Sequence, residues 1–296
     1  MKNVGKLLIL LCFSLITINL HSQDFEDFIR KYTDDNGKLY MQPLADAFGA
    51  NLNSGLYHNA RIEINGFQFY LGLTAMMAYV PESNKTFEGT TQGFFSPEQT
   101  TVAPTIFGSS EVVEVAGDDG TVYTFPGGLN IDQLPLAAPT LSIGSLYGTN
   151  ATFRFLAADI GEDFGKINLF GWGLRHNINQ YFNILPINMA AGFYMQSFSV
   201  GDFVDAKSWL FNIQGSYNWS LLTFYGGIGI ENSGLDVSYV YEEDDTEIDF
   251  DMEGANKIRG TLGLTVNLGP VKLHTDYTLA SQSLLTMGLG VGINDR

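Results

Sequence analysis

The clearest signal along this chain is the alternation of apolar and polar residues in its last third. In Lys257–Leu268, Ile258, Leu262, Leu264, Val266 and Leu268 are apolar, whereas Lys257, Arg259, Thr261, Thr265 and Asn267 are polar or basic. After Gly269-Pro270 the pattern resumes, with Val271, Leu273, Tyr277 and Leu279 set against Lys272, His274 and Asp276. A two-residue turn pairs 268 with 271 and 265 with 274, which brings both polar sets to one face. Leu285, Met287, Leu289, Val291 and Ile293 then alternate with Thr286, Gly288, Gly290 and Gly292.

The same period recurs earlier. Phe67, Phe69, Leu71, Leu73, Ala75, Met77 and Tyr79 share a face, as do Trp209, Phe211, Ile213, Tyr217 and Trp219. Eleven strands are predicted, at 54–64, 67–80, 139–147, 150–158, 164–176, 184–198, 207–219, 221–231, 257–268, 271–280 and 284–293. Their length matches the ~9–11 residues that cross a bilayer at a tilt and exceeds the ~5–6 usual in globular sheets. Tight connections at Asn65-Gly66, Gly148-Thr149 and Gly269-Pro270 alternate with long ones at 81–138, 199–206 and 232–256. Short turns at one end and long loops at the other mark a transmembrane barrel. The expected fold is all-β, a transmembrane up-and-down antiparallel β-barrel over residues 54–296. Bacterial barrels use even strand numbers, so the count is set at about twelve, within a range of about ten to fourteen.

Ahead of the barrel, Phe25, Phe28, Ile29 and Tyr32 recur at helical spacing, and Leu44, Ala47 and Phe48 suggest a second helix near 42–49. Residues 23–53 are therefore expected to form a helical plug or lid. Residues 1–22 read as a cleaved signal peptide, with Lys2 and Lys6 before an apolar run, Leu7–Leu20, too short to span a membrane. Removing them takes away two lysines, no acids and the sole cysteine, Cys12, leaving 13 − 32 = −19. Such a charge excludes a nucleic-acid partner, because phosphate contacts need clustered Lys and Arg.

Little points to chemistry. His58, His176 and His274 lie in no nucleophile–base or metal-ligand spacing, so no enzyme, cofactor or metal is expected. Glu242–Glu253 holds eight acids without the glycine-containing spacing of a calcium loop, and reads as a solvated outer loop. Glu111–Val115 and Thr121–Phe125 flank Asp118-Asp119-Gly120 as a hairpin within the longest loop. The candidate lumen-lining residues are Arg61, Glu63, Arg154, Lys166, Gln214, Lys257, Arg259, Lys272, His274 and Asp276. Their basic excess either selects anionic or amphiphilic solutes or belongs to an internal salt-bridge network filling a narrow barrel; the network is the preferred reading.

Tyr40–Gly49 followed by Asn53-Ser54-Gly55-Leu56-Tyr57 resembles the entry to certain uncharacterised Gram-negative outer-membrane barrels. Gly173–Ile178 through Leu185-Pro186-Ile187 is similar to a hairpin that recurs in them. The Pro-containing entry segment also resembles that of the long-chain fatty-acid transporter barrels. With the signal peptide, the bilayer-length strands and the basic interior, the expectation is an outer-membrane channel or facilitator for small hydrophobic or anionic molecules. The alternative is a non-transporting barrel that serves as a scaffold or surface-attachment partner in secretion or adhesion. Outer-membrane lipid is the partner common to both.

Overall fold

Strands long enough to cross a bilayer and apolar on one face leave edges that water cannot satisfy inside hydrocarbon, so they must close on themselves. The computed structural model describes residues 34–93, 95–159, 166–182, 186–201, 204–241 and 246–295, and it shows that closure. The chain begins with α1 (Asp34–Leu52) and β1 (Gln68–Tyr79). Two small hairpins follow, β2 (Thr86–Thr90) with β3 (Thr100–Pro104) and β4 (Val113–Ala116) with β5 (Val122–Phe125). Then come β6 (Gln133–Leu146), β7 (Thr149–Asp159), β8 (Lys166–Asn177), β9 (Asn188–Val200) and β10 (Val204–Trp219). The last five are β11 (Leu222–Tyr241), β12 (Thr246–Glu253), β13 (Ile258–Leu268), β14 (Val271–Leu279) and β15 (Leu284–Ile293).

Ten strands form the wall, in the order β1-β6-β7-β8-β9-β10-β11-β13-β14-β15, all neighbours antiparallel, with β15 returning to β1. Leu268 pairs with Val271 and Thr265 with His274, the register the alternation predicts. Phe67, Leu71, Phe155, Phe170, Ile228, Leu262 and Leu289 are exposed on the outside, while Thr74, Gln214, Thr265 and Asp276 are buried inside. A closed wall that shows large apolar side chains outward and polar ones inward is an outer-membrane-type barrel.

The eleven predicted strands become ten, within the expected range, for one reason. Residues 54–64, expected as the first strand, run through the lumen instead. From Asn51 to Ala60 every residue except Gly55 is buried, whereas a wall strand would expose alternate side chains to lipid. The helix expected at 42–49 is longer, spanning Asp34–Leu52, and the one expected at 24–33 lies outside the described residues, as does the signal peptide. The long loop expected at 81–138 ends at 132, and its predicted hairpin is β4–β5.

The long loop expected at 232–256 is mostly strand. β11 continues past its pairing with β13 and pairs with β12 from Gly234–Glu253 to Tyr241–Thr246. On β12 the acids Asp249, Asp251 and Glu253 face out, while Phe250 and Met252 are buried and pack in the apolar core that includes α1. The end of the acidic run read as a solvated loop is thus a strand in which Phe250 and Met252 alternate with the acids.

Candidate functional site

A helix ends with carbonyls that have no partner in the helix and with the negative pole of its dipole. Here two wall arginines meet that end. Arg259 of β13 donates to Asn53 O (2.7 Å), Ser54 Oγ (2.8 Å) and Ala50 O (3.2 Å), and pairs with Glu231 of β11 at 2.8 Å. Arg154 of β7 donates to Thr140 Oγ1 (3.3 Å), Leu52 O (3.5 Å) and Gly55 O. The Asn53 amide reaches Glu231 Oε2 at 2.8 Å. Gly55 turns the chain with φ +63°, and a Cβ there would lie 2.5 Å from Thr74.

Below this clamp the luminal segment is held residue by residue. The Tyr57 ring meets Tyr225 edge-on with centroids 5.8 Å apart, and Tyr225 donates to Asp276 Oδ2 at 2.8 Å. Thr265 donates to His58 O (2.6 Å), Arg175 to Asn59 O (2.7 Å), and Ala60 N–H to Ser216 Oγ (3.0 Å). His58 Nε2 lies 2.6 Å from Asp295 Oδ2, and the Asn59 amide donates to Asp295 Oδ1 at 3.0 Å. Two cavities beside Tyr57 measure about 10 Å³ each, room for a single water.

Of the ten candidate lumen residues, Arg154, Gln214, Arg259, Lys272, His274 and Asp276 are buried within the barrel. Gln214 donates to Tyr194 Oη, and Lys272 to Asn267 Oδ1, both at 2.8 Å. Arg61 and Glu63 pair with each other at the turn-end mouth, on the luminal segment rather than on a wall strand. Lys166 and Lys257 are exposed at the opposite rim, where Lys257 binds Glu253 at 2.9 Å, so neither lines the interior. Arg175, Glu231 and Asp295 are inside without having been expected there. Arg175 shares a face of β8 with Gly171 and Gly173, and that parity was its only available signal. Among the described residues no group of three or more His, Cys, Asp or Glu is placed to hold a metal.

The interior divides into two halves. Toward the loop end Tyr40, Met41, Leu52, Phe107, Phe125, Leu169, Phe198, Leu235 and Phe250 form one apolar cluster with Leu136 and Ala138 of β6. Toward the turn end lies the polar network described above.

The wall beside the apolar half is unzipped. β6 pairs with β1 from Gln133 to Gly144 but with β7 only from Thr140 onward, while β7 pairs with β8 as far as Asp159. Residues 133–139 and 155–159 therefore face each other without a ladder. Val80 N–H donates to Asp132 O (2.8 Å), so the even-numbered residues bond β1 and the odd-numbered ones of β6 turn toward β7. Those are Gln133, Pro135, Ala137 and Pro139, and the prolines have no N–H to give. From the inside, Asn51 of α1 donates to Leu134 O at 2.8 Å.

No curated protein matches this chain. Among solved structures, the outer-membrane protein OmpT of Vibrio cholerae (a loop L8 deletion mutant) is similar at 10% identity and TM-score 0.28, covering 78% of this chain and 100% of its own. The toluene transporter TbuX of Ralstonia pickettii is similar at 9% identity and TM-score 0.29, covering 83% and 94%. The translocator domain of the autotransporter NalP from Neisseria meningitidis is similar at 15% identity and TM-score 0.26, covering 86% and 98%. At these identities and scores the likenesses carry no functional argument. The expected link to long-chain fatty-acid transporters is not shown by these matches. One family model, described as a family of unknown function (DUF6588), matches residues 1–293, and the chain belongs to that family.

Proposed function

We propose that this protein is an outer-membrane facilitator for small apolar molecules, closed by its own N-terminal segment and opening sideways between β6 and β7. The observation that carries this reading is the unzipped seam. Unpaired backbone within hydrocarbon is costly, yet the chain places two prolines where they keep the ladder from forming. An apolar molecule entering at the loop end would meet the apolar half of the interior first. The polar network bars its way down, so the seam is the matching exit. α1 lies across that route, and Asn51 ties it to the seam's edge.

An anionic solute fits less well. Arg154, Arg175 and Arg259 are engaged with the luminal segment and Glu231 rather than free to meet a solute. A second reading, attachment of a surface partner, draws on the β11–β12 extension with Asp236, Asp249, Asp251 and Glu253 facing out. Neither reading assigns a catalytic role.

Replacing Pro135 and Pro139 by valine tests the proposal. Two new N–H donors should let the seam pair, raising stability by about 1–3 kcal/mol and lowering uptake of an apolar naphthylamine dye to that of cells lacking the protein. Undiminished uptake through a more stable barrel would overturn the lateral route.

A further inference from the structure

The polar half of the interior contains a cluster the proposed route leaves unused. The His58 ring stacks on that of His274 with centroids 5.2 Å apart, and Tyr70 packs on His58 at 4.2 Å. The Tyr70 hydroxyl lies 3.2 Å from His274 Nε2. Gly288 faces His274 across the ladder, where a Cβ would stand 2.0 Å from Nε2, so the site is shaped around this ring. His58 belongs to the luminal segment; Tyr70, His274 and Gly288 belong to the wall. The cluster therefore bridges plug and barrel.

We propose that this bridge is an acid-released latch: the plug is held while His274 is neutral, and a proton on His274 drives the luminal segment off the wall.

The two histidines differ in what faces them. His58 has the Asp295 carboxylate at 2.6 Å, so a proton on His58 strengthens the hold of the plug. His274 is faced by His58 and Gly55 from the plug, Tyr70 from β1, Arg154 from β7 and Arg175 from β8. Its own strand adds Lys272 and Asp276, and Asp276 accepts from Tyr225. Asp295 already serves His58 and Asn59. His274 Nδ1 is buried with no hydrogen-bond partner among the described residues, so the second N–H of an imidazolium would have no acceptor. A cation there would stand among His58, Arg154 and Arg175 with no carboxylate of its own, and withdrawing the plug admits water to it.

Asp295 does not compete in this pH range. Burial pushes its carboxyl up, but His58, the Asn59 amide and Arg175 outweigh burial and hold it at about 2. Its contribution is complete above about pH 4, the ordinary carboxylate range, and is lost only as pH falls from there toward 2. Release above about pH 4 therefore falls to histidine.

Hydrogen exchange of residues 53–60 in the intact protein, corrected for the intrinsic rate at each pH, reads this motion directly. With one proton taken up on release, the opening constant should rise up to about tenfold from pH 6 to pH 5, with β9 amides unchanged. In His274→Gln the rise should be less than about twofold. Asp295→Asn should open the plug at pH 7 yet keep the slope, which tests the latch even if His274→Gln fails to assemble. A flat profile in the native protein, an equal slope in His274→Gln, or a lost slope in Asp295→Asn would each overturn it. The readout is plug position, so the transport reading can fail while the latch stands.

Discussion

Replacing Glu231 by leucine is expected to destabilise the folded barrel by about 3–5 kcal/mol, the cost of stranding one member of a buried ion pair. The Glu231 and Arg259 side chains are 1% and 3% exposed, and the pair also anchors Asn53, Ser54 and Ala50 of the plug. Without the carboxylate the guanidinium stays inside with only carbonyl and hydroxyl partners. The double change Glu231→Leu with Arg259→Met should cost less than the single one, because the charge that needed a partner is gone. Urea unfolding in lipid vesicles measures both. A loss under about 1 kcal/mol for Glu231→Leu would mean that water reaches the pair and the clamp is not dry.

The second large effect concerns which face meets lipid. Leu262 points outward from β13 and is 69% exposed, so Leu262→Arg should cost about 2–4 kcal/mol and impair assembly. Thr265 points inward and donates to His58 O at 2.6 Å. Arginine there should displace the luminal segment and leave the wall able to form. Heat-modifiable gel migration separates the outcomes: loss of the folded band for Leu262→Arg, retention for Thr265→Arg. The reverse result would turn the barrel inside out and make it a water-soluble β protein.

How far the sequence reveals this arrangement depends on what each residue's parity reports. In β13 and β14 the alternation states which face is which and the turn states the register, so Arg259, Lys272, His274 and Asp276 could be placed inward directly. Alternation also describes a segment buried on all sides, and nothing in 54–64 distinguishes wall from lumen. Counting that segment as wall produced the odd strand number.

Parity fails at the ends of strands as well. Lys257 shares the parity of Arg259 but lies beyond the start of β13, and Lys166 is on the even, outward face of β8. The first part of α1, ahead of the helix expected at 42–49, was masked by Gly37, which is poor in a helix interior. Gly37 is there because the Phe250 ring occupies the place of a side chain, a Cβ standing 2.3 Å from it. The seam was invisible for a related reason. Pro135 argues for loop and Pro139 only opens the strand expected at 139–147, and the pairing with β1 shows that both lie inside a barrel strand.

The central claim is that the N-terminal segment fills the lumen and must move for apolar molecules to pass. Cysteines at Asn51 and Leu134 test it, since α1 must leave the seam for the exit to open, the Asn51 amide donates to Leu134 O at 2.8 Å, and the sequence's single cysteine is Cys12. Dye uptake by cells carrying the Asn51→Cys, Leu134→Cys protein would be compared before and after reduction. A disulfide that forms in the folded barrel, blocks uptake and restores it on reduction is the predicted result. Equal uptake with the disulfide intact, or cysteines that never join in a folded barrel, would contradict the account.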